Sequence, residues 1–203
     1  PRPTAGRATD SKAALMSSAV VWTEAVVQAT RDVTPSVREF TLATTSPSRP
    51  YAAGSHLQVE LLINGRPQTR SYSLIGQPDD GLYRIAVKQL PLGRGGSLAM
   101  WQLAPGERLR ISVPRNFFPL SLTAPGYLLL AGGIGITPIW CMVQRLQELG
   151  RNWSLHYASR NRAHAAFLSQ LQEVAAKGVG TLHLHFDDEF GGPPDVAAAI
   201  AAA

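Results

Sequence analysis

Cysteine is almost absent: Cys141 is the single one in 203 residues. That excludes a disulfide within the chain, and an all-cysteine zinc or iron–sulfur site built from this chain alone. Lysine is scarce too, with three residues against sixteen scattered arginines. No basic stripe interleaved with aromatics occurs, which argues against nucleic-acid binding. The net charge of +5 instead suits phosphate-bearing small molecules or an acidic protein partner. No apolar run reaches the length of a membrane span, and the apolar stretch near the start is too short and serine-broken for a signal peptide. A chain without membrane contact, in the cytoplasm, is therefore expected. What is present is 45% hydrophobic residues and only 16% charged ones, enough for a packed core.

Residues 1–18 are small, polar and aperiodic, and read as a flexible leader in which Met16 could be a native start. Residues 19–113 read as strands, within a first domain of residues 19–123. Val20–Ala29, Val37–Ala43, His56–Ile63, Gln68–Leu74, Leu82–Lys88 and Arg108–Val113 are separated by turn chemistry, including Asn64-Gly65 and Asp79-Asp80-Gly81. Six such strands predict an antiparallel barrel, with a short helix over Ser97–Leu103.

From residue 124 the grammar changes. Tyr127–Ala131 is a continuous apolar run, expected of a strand buried on both faces. A helix over Pro138–Leu149, a strand over Trp153–Ala158, a helix over Ala163–Ala176, a strand over Thr181–Phe186 and a helix from Asp195 follow. This alternation predicts a parallel βαβ sheet. The fold class is thus a six-stranded barrel followed by a partial α/β domain, the boundary falling near Ser121–Pro125. Three strands are few for a doubly wound domain, so residues 124–203 read as an incomplete one.

Three motifs carry chemistry. Ala131-Gly132-Gly133-Ile134-Gly135-Ile136-Thr137-Pro138 links a strand to a helix, a context in which backbone N–H groups and the helix dipole attract a pyrophosphate. It lacks the Lys-Ser/Thr of a Walker loop and the third glycine of the standard dinucleotide fingerprint. Arg70-Ser71-Tyr72-Ser73 alternates a guanidinium and an aromatic ring on one strand face with two hydroxyls on the other, suited to a phosphate and a planar ring. Gly93-Arg94-Gly95-Gly96-Ser97 opens the short helix, with Ser97 as candidate N-cap. His183 and His185 with Asp187 and Asp188 lack further ligands at suitable spacing, so no metal site is assigned. Cys141 reads as a small packing residue.

Together with Ala86-Val87-Lys88 and Pro114-Arg115-Asn116 followed by Phe118-Pro119-Leu120, these motifs resemble the ferredoxin–NADP reductase superfamily. More narrowly, they resemble its phthalate dioxygenase reductase and vanillate demethylase reductase group, the reductase components of Rieske-type oxygenases. The resemblance implies an FMN-binding barrel and an NADH-binding domain. It implies that Arg70, with Gly95, Gly96 and Ser97, holds the FMN phosphate. It counts Ser71 among the cofactor-binding residues, packs Tyr72 on the isoalloxazine with Ser73 hydrogen-bonded near N5, and lines the ring with Ala86, Val87 and Lys88. Gly133 and Gly135 would cradle the NADH pyrophosphate in a cofactor-binding turn that includes Ile136, Thr137 and Pro138, with Ser73 and Thr137 as the catalytic residues at the flavin–nicotinamide junction. Arg160 would meet the adenosine half.

The group continues with a Cys-Gly-Pro segment and a [2Fe–2S] domain held by four cysteines, neither of which this sequence contains. The implied activity is hydride transfer from NADH to FMN, and electron delivery through an iron–sulfur centre to an oxygenase with an acidic docking surface. A free flavin or ferric reductase, or a non-catalytic dinucleotide-binding module, are the alternatives. On this reading residues 1–203 alone would bind FMN, bind NADH weakly and fail to drive the oxygenase.

Overall fold

The computed structural model describes residues 20–76 and 81–201. The expected leader, Asp79 and Asp80 of the Asp79-Asp80-Gly81 turn and the last two residues lie outside them. Six strands, β1 (Trp22–Thr34), β2 (Val37–Thr44), β3 (Ser55–Ile63), β4 (Arg66–Ile75), β5 (Leu82–Lys88) and β6 (Arg108–Ser112), form an antiparallel ring. The strand order is β4-β5-β2-β1-β6-β3, and β3 pairs back onto β4 to close it. Alternation drives the closure. Leu57, Val59, Leu61 and Ile63 of β3 point inward with Phe40, Leu42 and Ile85, while the residues between them face out. Asn64 and Gly65, at φ 52° and 73°, make the left-handed two-residue turn that the β3–β4 hairpin requires. β1 runs beyond the expected strand. Register shifts at Val27/Ala29 and Asp32/Thr34 bend it, so that one long strand serves both β2 and β6. A two-residue strand, β7 (Arg115–Asn116), pairs with the start of β3; its length gave no periodicity to read. Helix α1 (Gly96–Gln102) plugs the barrel with the fully buried Met100.

The second half holds β8 (Tyr127–Gly132), α2 (Ile136–Glu148), β9 (Trp153–Ser159), α3 (Leu168–Ala176) and β10 (Gly180–Phe186), followed by α4 (Asp187–Phe190) and α5 (Val196–Ala201). The strands are parallel in the order β10-β9-β8. Two expectations are corrected. The helix foreseen over Ala163–Ala176 is split into a 3-10 turn at Arg162–His164 and α3, because Phe167 takes φ 60° and cannot continue a helix. Its ring is buried and stacked on Trp140 at 6.2 Å, so tertiary burial overrides local helix continuity. The second correction concerns β8, which is buried on one face only. Leu129 and Ala131 pack under α2 and α3, whereas Leu130 on the opposite face is 37% exposed.

The halves share a seam. Val37, Ile75 and Ala86 of the barrel join the second hydrophobic cluster instead of the barrel's own. Helix α2 lies along β4, where the Cys141 thiol donates to the Gly76 carbonyl at 3.5 Å. Thr137 lies on the same face of α2, one turn earlier.

Candidate functional site

Strands β4 and β5 pair only at Leu74↔Ile85 and Ile75↔Arg84. Continuing that register would set Ser73 opposite Ala86 and Tyr72 opposite Val87. The pairing stops there, although β4 stays bonded to β3 as far as Arg66 and β5 to β2 as far as Lys88. A slot therefore opens between two strands of the ring, and its walls are the segments 70–73 and 86–88. Of the second segment, Ala86 faces the seam, whereas the Val87 side chain belongs to the barrel core and its carbonyl accepts the Trp101 indole N–H. Tyr72 packs against the barrel core, and desolvation pushes its phenol up to about 12, partly countered by Arg70. The ring is thus neutral across the physiological range and offers an apolar face. Ser73 is half-buried on the other face of β4, and Ser71 is exposed.

Arg70 is seated where β4 meets α1. Its Nη1 donates to Thr69 O at 2.8 Å, and Nη2 donates to Gln68 Oε1 at 2.8 Å and to Arg94 O at 3.3 Å. These three acceptors are neutral, so the bonds orient the guanidinium without cancelling its charge. Gly96 lies against it: a Cβ there would stand 2.6 Å from Arg70 Nε. Ser97 is not the N-cap expected from sequence. Gly95, at φ 81°, takes that position because only a left-handed residue lets the chain turn into α1 here. The Ser97 hydroxyl instead accepts the Leu90 N–H at 3.0 Å, which leaves its own proton to donate. An unneutralised guanidinium, a side-chain-free glycine beside it, a hydroxyl donor and a slot flanked by an aromatic ring fit a flavin phosphate and ring system.

The glycine turn falls across the seam from this slot. Gly133, at φ 51°, opens a 3-10 turn through Gly135, and α2 follows. The Lys88 ammonium of the barrel lies 4.0 Å from the position of a Gly133 Cβ, so β5 and the turn meet. Both line a cleft of about 770 Å³ at the C-terminal ends of β8, β9 and β10, with Ser159, Arg160 and Asp187 on its wall. This is where open α/β sheets carry ligands. Ile136 does not face this cleft. Its side chain is fully buried and its N–H is bonded to Gly133 O and Ile134 O, because the turn needs it to close. Thr137 is buried and donates to Ile134 O at 3.0 Å. Pro138 follows in the first turn of α2, where its missing N–H costs nothing.

Arg160 is exposed at the mouth of the cleft, and its carbonyl accepts the Asp188 N–H. Arg162 is engaged elsewhere. It forks onto Glu189 at 2.6 and 3.1 Å and lies over the Phe186 ring, and the Glu189 contact raises its affinity for its proton. The pairing spans 27 positions and leaves no local sequence signal. His183 stacks on His156 with ring centroids 4.3 Å apart, and His185 Nε2 lies 2.7 Å from Gly192 O. Trp101, at the end of α1, donates its indole N–H to the Val87 carbonyl of β5, and the four-residue spacing from Ser97 is the only local signal of it.

Residues 24–118 match the family described as an oxidoreductase FAD-binding domain. The chain is 46% identical over 144 residues to tetrachlorobenzoquinone reductase of Sphingobium chlorophenolicum, covering 70% of this chain and 44% of that one. It is 39% identical over 181 residues to vanillate O-demethylase oxidoreductase of Pseudomonas putida, covering 88% and 56%. The solved phthalate dioxygenase reductase superposes with a TM-score of 0.78 at 30% identity, over 90% of this chain and 57% of that one. That protein is described as a modular structure for electron transfer from pyridine nucleotides to [2Fe–2S]. The fold is that of the ferredoxin–NADP reductase superfamily, and the relatives the chain matches are reductase components of oxygenase systems. It spans about half the length of the curated relatives it matches.

Proposed function

We propose that this chain is the flavin- and nicotinamide-binding part of an oxygenase reductase, using FMN and NADH. The observation that carries the reading is the slot between β4 and β5, with Arg70 at one end and the glycine turn of α2 across the seam. Arg70 and the Ser97 hydroxyl hold a phosphate, and Tyr72 presents an apolar ring. Ser73 and the segment of Ala86, Val87 and Lys88 orient the edge of the ring system. Gly133 and Gly135 admit the pyrophosphate of the nucleotide, with Thr137 beside the junction and Arg160 at the adenosine end. The seam of Val37, Ile75 and Ala86 excludes water from the meeting point. Bound flavin supplies the means to accept two electrons as hydride and release them singly. Everything the chain does is orientation and shielding.

FMN is preferred over FAD because the segment from Gln89 to Arg94 is short and carries no aromatic to stack an adenine. The matched family is described by FAD, so the cofactor's identity is a direct test. Electrons leave through an iron–sulfur centre to an oxygenase whose docking surface is acidic, complementing the charge of +5.

The purified chain is to be reconstituted with FMN, desalted, and the retained flavin released by heat and identified by chromatography. Retained FMN and NADH-driven reduction of ferricyanide support the reading. Retention of FAD instead overturns the cofactor assignment, and loss of all flavin on desalting favours a reductase that uses flavin as a substrate.

A further inference from the structure

The slot has two ends that must be held at one distance from each other. Arg70 belongs to β4 and rests against Gly96 at the start of α1. The ring-side wall belongs to β5. Beyond Ile85 the two strands no longer pair, so the ladder does not fix that distance.

The end of α1 supplies what the ladder omits. Trp101 Nε1 donates to the Val87 carbonyl at 2.9 Å. Trp101 is in turn fixed from behind. The Arg38 guanidinium lies 4.5 Å from its ring centroid and donates to its backbone carbonyl at 3.3 Å. Asp32 holds that guanidinium through Arg38 Nε at 2.6 Å and Nη2 at 3.2 Å. A chain of contacts thus runs from the β1–β2 hairpin through Trp101 to Val87, while α1 carries Gly96 and the seat of Arg70 at its other end.

We propose that Trp101 is a positioning residue that ties the ring-side strand to the helix on which the phosphate-holding Arg70 rests, and so sets the spacing between the two ends of the flavin slot. The inference rests on the flavin reading above. Its consequence is specific to ligands that span the slot. Joining a phosphate to a ring gains affinity only when both subsites are held at the matching separation. Loosening the tie therefore weakens FMN more than riboflavin, which has the ring and no phosphate.

The test is the ratio of dissociation constants, riboflavin over FMN, measured by flavin fluorescence quenching on the 203-residue chain. Trp101→Phe keeps an aromatic ring beneath Arg38 and removes the N–H. It is expected to lower the ratio about fivefold, the scale of one lost hydrogen bond. Trp101→His keeps an N–H at the equivalent ring position, since its Nε2 superimposes on the indole Nε1, and is expected to retain most of the ratio. A purely structural role would lower the melting temperature of both variants and leave the ratio unchanged, which overturns the proposal. An equal loss in both variants overturns it as well, because the N–H would then be irrelevant. A wild-type chain that binds FMN no better than riboflavin overturns the phosphate site itself, an outcome distinct from failure of the tie.

Discussion

A Cβ built on Gly96 would lie 2.6 Å from Nε and 2.8 Å from Cγ of Arg70, so the absence of one side chain fixes the position of another. The cation that closes one end of the slot is held by packing as much as by its hydrogen bonds. The neighbouring Gly95 has a different duty, since its φ of 81° is what lets α1 begin. The consequences of altering these two glycines should separate.

Gly96→Ala should displace the flexible Arg70 side chain and leave the barrel intact. The expected result is FMN affinity reduced about tenfold, the scale of a weakened charge-assisted contact, with the melting temperature nearly unchanged. Gly95→Ala should destabilise the fold by about 1–2 kcal/mol through left-handed strain, worsened by contact with Ile63 Cγ2. Thermal melts and flavin titrations of both variants check the contrast.

Arg70→Ala removes the guanidinium outright. FMN affinity should fall by about 2–3 kcal/mol, the value of hydrogen bonds to a charged group, while riboflavin affinity holds. The strand is paired through its backbone, so the fold should survive. A variant that retains FMN at wild-type affinity would remove Arg70 from the phosphate site.

Cys141 makes stability depend on alkaline pH. Burial, reinforced by Glu148, pushes its thiol up to about 11 from an ordinary value of 9.0. Below pH 9 both folded and unfolded chains hold this proton and the contribution is constant. Between 9 and 11 the unfolded chain releases it while the folded chain keeps it, so stability falls by up to about 1.4 kcal/mol per pH unit. Cys141→Ala should flatten that part of the profile. Urea titrations at pH 8 and 10.5 measure it, and equal losses in both proteins would contradict the assignment.

On the proposed reading, the choice of nucleotide turns on the fork between Arg162 and Glu189. With Arg162 held and Glu189 and Asp188 close by, a 2′-phosphate meets acidic groups and loses a cation that could bind it. NADH should therefore be preferred. Glu189→Gln should release Arg162 and raise kcat/KM for NADPH about three- to tenfold with little change for NADH. Steady-state ferricyanide reduction with both nucleotides decides it.

Element types and their grouping are legible in the local sequence. Alternation in Leu57–Ile63 and Leu82–Lys88, and Asn64-Gly65 between strands, can only be satisfied by an antiparallel sheet with one face buried. The turn Gly132–Pro138 between an apolar run and a helix was legible in the same local way. Such features depend on backbone preference and side-chain period within a few residues, so they are written contiguously.

The other features follow from contacts made on folding. The opposition of Ser73 and Tyr72 to Ala86 and Val87 follows from where a ladder stops. Gly95 in place of Ser97 as the cap, the break at Phe167, the burial of Ile136 and the capture of Arg162 by Glu189 each depend on a partner brought in by folding. Burial of a large ring or the pairing of a distant charge outweighs a local propensity worth a fraction of a kcal/mol per residue, about 0.7 at most for ordinary residues. Local pattern therefore named the walls of the site, and long-range packing set the space between them.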